Sequence, residues 1–241
     1  MAAGARTWRA AREQDIARAY RDKSCWTQLD YCTDRHPYSF KSIEQWPLDA
    51  ALIYEPTDRA SVLLGSIKAA CCLTDIFKTL SVKVTVVVTM CGDEMKIRGA
   101  PNDWPQYFGR QEVFHVSRHL EDTTLKPAEQ SEGRILELVD SCLGQWKVVC
   151  GLLWQRSKSA VMDGGSMHVL FHCFGGINRS AGVLCAWLVV AYDFSADDAV
   201  RLLLEKRPSL RPWRNRPYVL EALFKLEGLR MEWQLQFGSM G

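Results

Sequence analysis

The chain has 241 residues, 47% of them hydrophobic, with 30 Lys and Arg against 28 Asp and Glu for a formal net charge of +2. That composition describes a folded chain rather than a disordered one, long enough for one α/β domain with a proper core plus extensions. The near-neutral balance gives no global pull toward nucleic acid or a membrane surface, so affinity for an anion has to be local. The longest apolar stretch, residues 181–192, falls short of the roughly eighteen residues that cross a bilayer and reads as a core helix.

The nine cysteines include no Cys-x-x-Cys pair, which argues against a disulfide framework or a zinc ribbon and for reduced thiols in a cytoplasmic setting. His115/His119 and His168/His172 each stand four residues apart. The second pair lies along a predicted strand, where four residues span roughly 13 Å, and the first runs from a strand into a loop without suitably spaced co-ligands. Neither is expected to hold a metal, and no cofactor is expected. The N-terminal arginines are accompanied by Glu13 and Asp15 and by no long apolar core, which argues against a secretory signal.

In chain order, Trp8, Ala11, Ile16 and Tyr20 among charges predict an amphipathic helix over residues 5–22. Residues 23–57, with Trp26, Tyr31, Tyr38, Phe40 and Trp46, complete an N-terminal extension, 1–57, expected to pack on a domain of residues 58–241. Residues 84–90 form a β-branched run that suits a buried parallel strand, and residues 113–116 a shorter one. Apolar residues from Ile135 to Leu153 recur at three- and four-residue steps, predicting a long amphipathic helix. Residues 157–166 (SKSAVMDGGS) read as a linker, 169–171 as a short buried strand and 181–192 as a buried helix.

Between that last strand and helix stands His172-Cys173-Phe174-Gly175-Gly176-Ile177-Asn178-Arg179-Ser180. Strand, tight loop and helix is the geometry that aims backbone N–H groups at an anion. A cysteine at the mouth of such a loop is expected as a thiolate, the form that attacks. An arginine six positions on can grip two oxygens of a tetrahedral oxyanion. The residues therefore predict a site that binds and cleaves a phosphate ester. Cys173 is the expected nucleophile, forming a phosphocysteine intermediate, and Arg179 the expected clamp on ground and transition states. The backbone from Phe174 through Gly175, Gly176, Ile177 and Asn178 to Arg179 cradles the phosphate, with the two glycines letting it curl.

His-Cys-x-x-Gly-x-x-Arg-Ser has a chance occurrence of about 10⁻⁵ in a chain this long, and it resembles the signature of the cysteine-dependent protein tyrosine phosphatase superfamily. Leu64 to Ala70 resembles the entry to a domain of its dual-specificity branch. His119 to Thr124 resembles the loop carrying the general acid, and Ser195 to Val200 with Lys206-Arg207-Pro208 resembles a later helix and Arg-Pro turn. The resemblance covers about residues 58–228. It implies a central, mostly parallel sheet flanked by helices, lengthened here by a helix or loop insertion between Asp122 and Cys173.

The resemblance also implies roles. Asp122 is the expected general acid, with Asp103 and Asp163 as competitors. Ser180 matches the hydroxyl that donates to the departing cysteine sulfur, although capping the following helix would also suit it. His172 is expected to support the thiolate from outside the pocket, and Asn215 to brace the loop. Arg214 and Arg216 are either solvated or contacts for a second negative group. Cys91 matches a position where the lipid-phosphatase branch carries a cysteine that pairs with the nucleophile on oxidation.

The expected activity is hydrolysis of phosphotyrosine, with phosphoserine and phosphothreonine as a further substrate class, the partner being a phosphoprotein and not a membrane. Two alternatives stand beside it. Gly176-Ile177-Asn178-Arg179-Ser180 also resembles the loop of RNA 5′-phosphatases, the one reading that brings in nucleic acid. The other alternative is a module that captures phosphoprotein without turnover.

Overall fold

Val86, Val87, Val88 and Thr89 are all buried and form β3 (Val86–Thr89), since β-branched side chains suit a pleated surface covered on both faces. In the computed structural model, which describes residues 48–92, 103–123, 125, 131–207, 213 and 216–239, this strand is one of five. The others are β1 (Ala50–Thr57), β2 (Ala60–Gly65), β4 (Phe114–Ser117) and β5 (Met167–His172). The sheet runs in the order β1-β2-β5-β3-β4. Only the β1/β2 pair among them is antiparallel, so the α/β fold with a mostly parallel sheet is the one expected.

Register decides where a site can form. Gly65 of β2 and Thr89 of β3 both pair with His172 of β5, so the three strands end in one row across the sheet. The chain leaves that row toward α1 (Ile67–Cys71) from β2 and toward α5 (Arg179–Tyr192) from β5. Crevices outside the carboxyl ends of parallel strands are where such sheets bind ligands.

Helices α2 (Leu73–Leu80), α3 (Trp104–Gly109), α4 (Glu132–Met162), α6 (Ala196–Lys206) and α7 (Pro217–Ser239) complete the described elements. Every residue of α5 from Arg179 to Val190 is buried, which explains why its sequence is apolar all round rather than on one stripe. Side chains as deeply buried as Trp146, Trp187 and Phe171 each contribute about 1.5–3 kcal/mol through apolar burial. Helices α4 and α7 lie side by side and point the same way. Asp140 meets Lys225 at 2.8 Å near one end, and Lys158 Nζ reaches the Gly238 carbonyl at 3.3 Å near the other.

The long helix corrects one expectation. Residues 157–162, read as part of a linker, continue α4 to Met162. Ser157 and Ser159 accommodate the helix by donating their hydroxyls back to the carbonyls of Trp154 and Gln155, and Ala160 is buried. The segment between Asp122 and Cys173, expected as a helix or loop insertion, is therefore mainly helix. At the other end of the chain, the helix expected over residues 5–22 and the aromatics of residues 23–47 lie outside the described residues. Residues 50–57 of the segment read as an extension form β1, so the sheet starts before residue 58.

Candidate active site

Cys173 follows the last residue of β5 and is 3% exposed. The Ser180 hydroxyl donates to its Sγ at 3.2 Å. Of the two roles open to Ser180, the sulfur contact is the one present. Asn178 holds the N-cap position of α5, and Ser180 lies inside the first turn.

Three outside contacts set the course of the loop. The Phe174 carbonyl accepts from the Ile67 N–H at 3.1 Å. Gly176 has φ +64° and lies so close to the β2–α1 turn that a Cβ there would come within 2.4 Å of the Gly65 carbonyl oxygen. Its own carbonyl accepts from Arg207 Nη1 at 3.3 Å, and Arg207, 7% exposed, is ion-paired to Asp49. On the far side, the Asn178 side-chain oxygen accepts from the Trp213 N–H at 3.2 Å. Its backbone oxygen accepts from Trp213 Nε1 at 3.1 Å.

Arg179 opens α5 and is 8% exposed, with Nε 3.8 Å from Asp122 Oδ2. The other oxygen of Asp122 accepts from Arg216 Nε at 2.6 Å. The adjoining loop is held by the Tyr218 hydroxyl, which donates to the Thr123 carbonyl at 2.9 Å. Asp122 thus stands between two guanidiniums, one of them the expected phosphate clamp. Its competitors are elsewhere. Asp103 caps α3 by accepting from the Gln106 N–H at 2.9 Å. Asp163 ends α4 ahead of β5, a strand's length from Cys173, or roughly 20 Å at the usual rise per residue.

His172 is fully buried beside Cys173, with Nε2 2.7 Å from Thr89 Oγ1. The same hydroxyl lies 2.9 Å from His115 Nε2. Burial pulls the His172 pKa down to about 3, with the Cys173 backbone working against that shift, and lowers His115 to about 4. His168 Nδ1 is 3.0 Å from the Ser61 hydroxyl. Cys91 is buried just past β3, bridged to His119, and the preceding Met90 N–H donates to the His172 carbonyl at 3.0 Å. Burial raises the thiols of Cys150 and Cys185 and pushes Cys142 up to about 12, which makes them packing groups.

The loop residues, Cys173, Arg179, Ser180 and Asp122 are therefore brought together, while Asn215 and Arg214 lie outside the described residues. Sequence reasoning did not identify Asp49, Arg207 and Trp213 as braces. The Lys206-Arg207-Pro208 turn was the signal for one. Asp49 had been placed with the extension, and Trp213 sits two residues from the asparagine named instead.

The family described as "Dual specificity phosphatase, catalytic domain" matches residues 160–220. Human dual specificity protein phosphatase 16 is 46% identical over 44 residues, covering 18% of this chain and 7% of that protein. Human dual specificity protein phosphatase 8 is 40% identical over 47 residues, covering 20% and 8%. The chain thus spans less than a tenth of the length of the curated relatives it matches. Among solved structures, human DUSP28 is similar with 22% identity and a TM-score of 0.49 over 77% of this chain and 97% of that one. PTPMT1 is similar with 18% identity and a TM-score of 0.49 over 78% and 99%. The matched residues 160–220 hold β5, the Cys173–Arg179 loop, α5 and α6. Over that stretch the chain is similar to the catalytic domain of dual specificity phosphatases.

Proposed function

We propose that the protein hydrolyses phosphotyrosine in protein substrates, with phosphoserine and phosphothreonine as a second class, through a phosphocysteine intermediate. The observation that carries this reading is the contact of the Ser180 hydroxyl with Cys173 Sγ at 3.2 Å, in a loop that ends on the buried Arg179. A packing cysteine would not need a hydroxyl donor aimed at its sulfur beside an arginine.

In the proposed first step the Cys173 thiolate attacks phosphorus, an S–P bond forms and the P–O bond to the leaving group breaks. Asp122 gives its proton to the departing oxygen. Arg179 and the backbone of residues 174–179 hold the three non-bridging oxygens as charge spreads over them. In the second step water attacks phosphorus and passes a proton to Asp122, while the S–P electron pair returns to Cys173. The Ser180 hydroxyl stabilises the sulfur as it leaves.

The loop residues Phe174, Gly175, Gly176, Ile177 and Asn178 bring no cation of their own beside Arg179, which favours a phosphoprotein over a polyanionic headgroup. The reading is tested by acid-quenching the protein during turnover of a ³²P-labelled phosphotyrosine peptide. Label bound to Cys173, accumulating in Ser180→Ala and absent in Cys173→Ser, supports it. Turnover without a cysteine-bound phosphate contradicts it.

A further inference from the structure

Three polar side chains from three adjacent strands meet beside Cys173. Thr89 of β3 pairs in register with His172 of β5, and His115 lies two residues before the Ser117 that Thr89 pairs with on β4. Side chains two apart on a strand share a face, so the Thr89 hydroxyl reaches both rings, at 2.7 Å from His172 Nε2 and 2.9 Å from His115 Nε2.

The hydrogen arithmetic of this cluster is closed. A hydroxyl carries one proton, and a neutral imidazole carries one N–H. Thr89 can donate to only one of the two rings. The contact with the other ring needs that ring's Nε2 to donate. Burial keeps both rings neutral through the physiological range, with pKa values of about 3 and about 4. The ring that donates from Nε2 then has a bare Nδ1, and the ring that accepts at Nε2 carries its proton on Nδ1. The groups packed against the pair add no competing charge from α3, which presents Trp104 at 5.8 Å from His172 and Phe108 at 4.6 Å from His115. Among the described residues, the titratable group that acts on His172 is His115, beside the contact of the Cys173 backbone, and burial alone acts on His115.

We infer that Thr89 locks His172 and His115 into opposite tautomers and so acts as a positioning residue for the nucleophile at the end of β5. The lock fixes the ring of His172 on the residue whose carbonyl accepts from Met90, and with it the starting direction of the loop. The consequence for reactivity rests on the reading of Cys173 as nucleophile. The tautomer assignment does not.

The test has two readouts on the full chain. In ¹⁵N-resolved NMR of wild type at pH 7, one of the two buried histidines shows the Nε2–H pattern and the other the Nδ1–H pattern. Thr89→Val, which keeps the shape and removes the hydroxyl, changes the rate of Cys173 alkylation by iodoacetamide at pH 6 by about threefold or more. Thr89→Ser restores the wild-type pH profile. Both rings in one tautomer would overturn the inference, and so would a Thr89→Val profile that superimposes on wild type. The NMR measurement needs no variant and decides the tautomers even where Thr89→Val fails to fold. Cys173 alkylating no faster than the other thiols would count against the nucleophile, leaving the tautomer pairing to stand or fall on the spectrum.

Discussion

Gly176 lies against Gly65: a Cβ on the first would stand 2.4 Å from the carbonyl oxygen of the second and 2.9 Å from the Ser66 nitrogen. The contact is backbone on backbone, so no flexible side chain can move aside. Gly65 is tight in its turn, since a Cβ there would meet the Ala69 Cβ at 2.6 Å. Two glycines on different elements thus set how closely the loop sits on the β2–α1 turn. At φ +64° a side chain at 176 adds backbone strain of about 1–3 kcal/mol. Gly176→Ala is expected to lower kcat/KM by about 10²-fold or more, the scale of an ångström-sized misplacement. Gly175→Ala, whose new Cβ would meet the Ile177 side chain at 3.4 Å from Cδ1 and 3.6 Å from Cγ1, ordinary van der Waals distances, is expected to stay within a few-fold of wild type. Steady-state kinetics on one peptide compare the two.

Asp122 gives the next prediction. Its carboxylate stands 3.8 Å from Arg179 and 2.6 Å from Arg216. As general acid it is expected to be worth about 10²- to 10⁴-fold in kcat, so Asp122→Asn should lose that factor on phosphotyrosine and lose less on an activated aryl phosphate that needs no protonation. An Asp122→Asn protein with near wild-type kcat on both substrates would move the reading toward the RNA 5′-phosphatase alternative, where this acid is dispensable.

The buried Arg207 links Asp49 to the Gly176 carbonyl. Removing the carboxylate leaves a buried guanidinium without that partner and loosens the hydrogen bond it directs. Asp49→Ala is expected to weaken binding of tungstate by roughly tenfold, the worth of one charge-assisted hydrogen bond, and to lower Tm. Isothermal titration and a melt measure both. Unchanged tungstate affinity would separate Arg207 from the loop.

What could be read from the chain divides along local and non-local lines. Residues 86–89, 167–172 and 179–192 carry their structure in composition, and their boundaries moved by only a few residues. The stretch from His172 to Ser180 was legible because five chemically constrained positions sit within nine residues. The braces were not, because Asp49, Arg207 and Trp213 reach the loop from 31 residues or more away in sequence, and no local pattern marks such a pairing. The tail of α4 was missed for a different reason. Ser, Lys and Gly near a chain turn look like a loop, yet docking against the end of α7 through Lys158 and Gly238 keeps it helical, a tertiary effect that outweighs local preference.

Stability should fall on the acid side. The pKa values of His172 and His115 are lowered by burial to about 3 and about 4, below the ordinary value of about 6.5 that holds in the unfolded chain. Between those limits the unfolded state binds more protons than the folded one, so unfolding free energy rises with pH across the window and is lost as pH drops from about 6.5 toward 4. Tm measured from pH 7 to pH 4 should decline, and the decline should be shallower in His115→Phe. Equal slopes for the two proteins would contradict a neutral, buried His115.

The central claim is tested most directly by phosphate release under reducing conditions without added metal, comparing wild type with Cys173→Ser. The substrates are phosphotyrosine and phosphothreonine peptides and a 5′-triphosphate RNA. The account predicts release from the peptides by wild type, none from them by Cys173→Ser, and equal folding of the two by circular dichroism. Release that persists in Cys173→Ser, release from the RNA alone, or tight phosphopeptide binding by wild type with no release would contradict it.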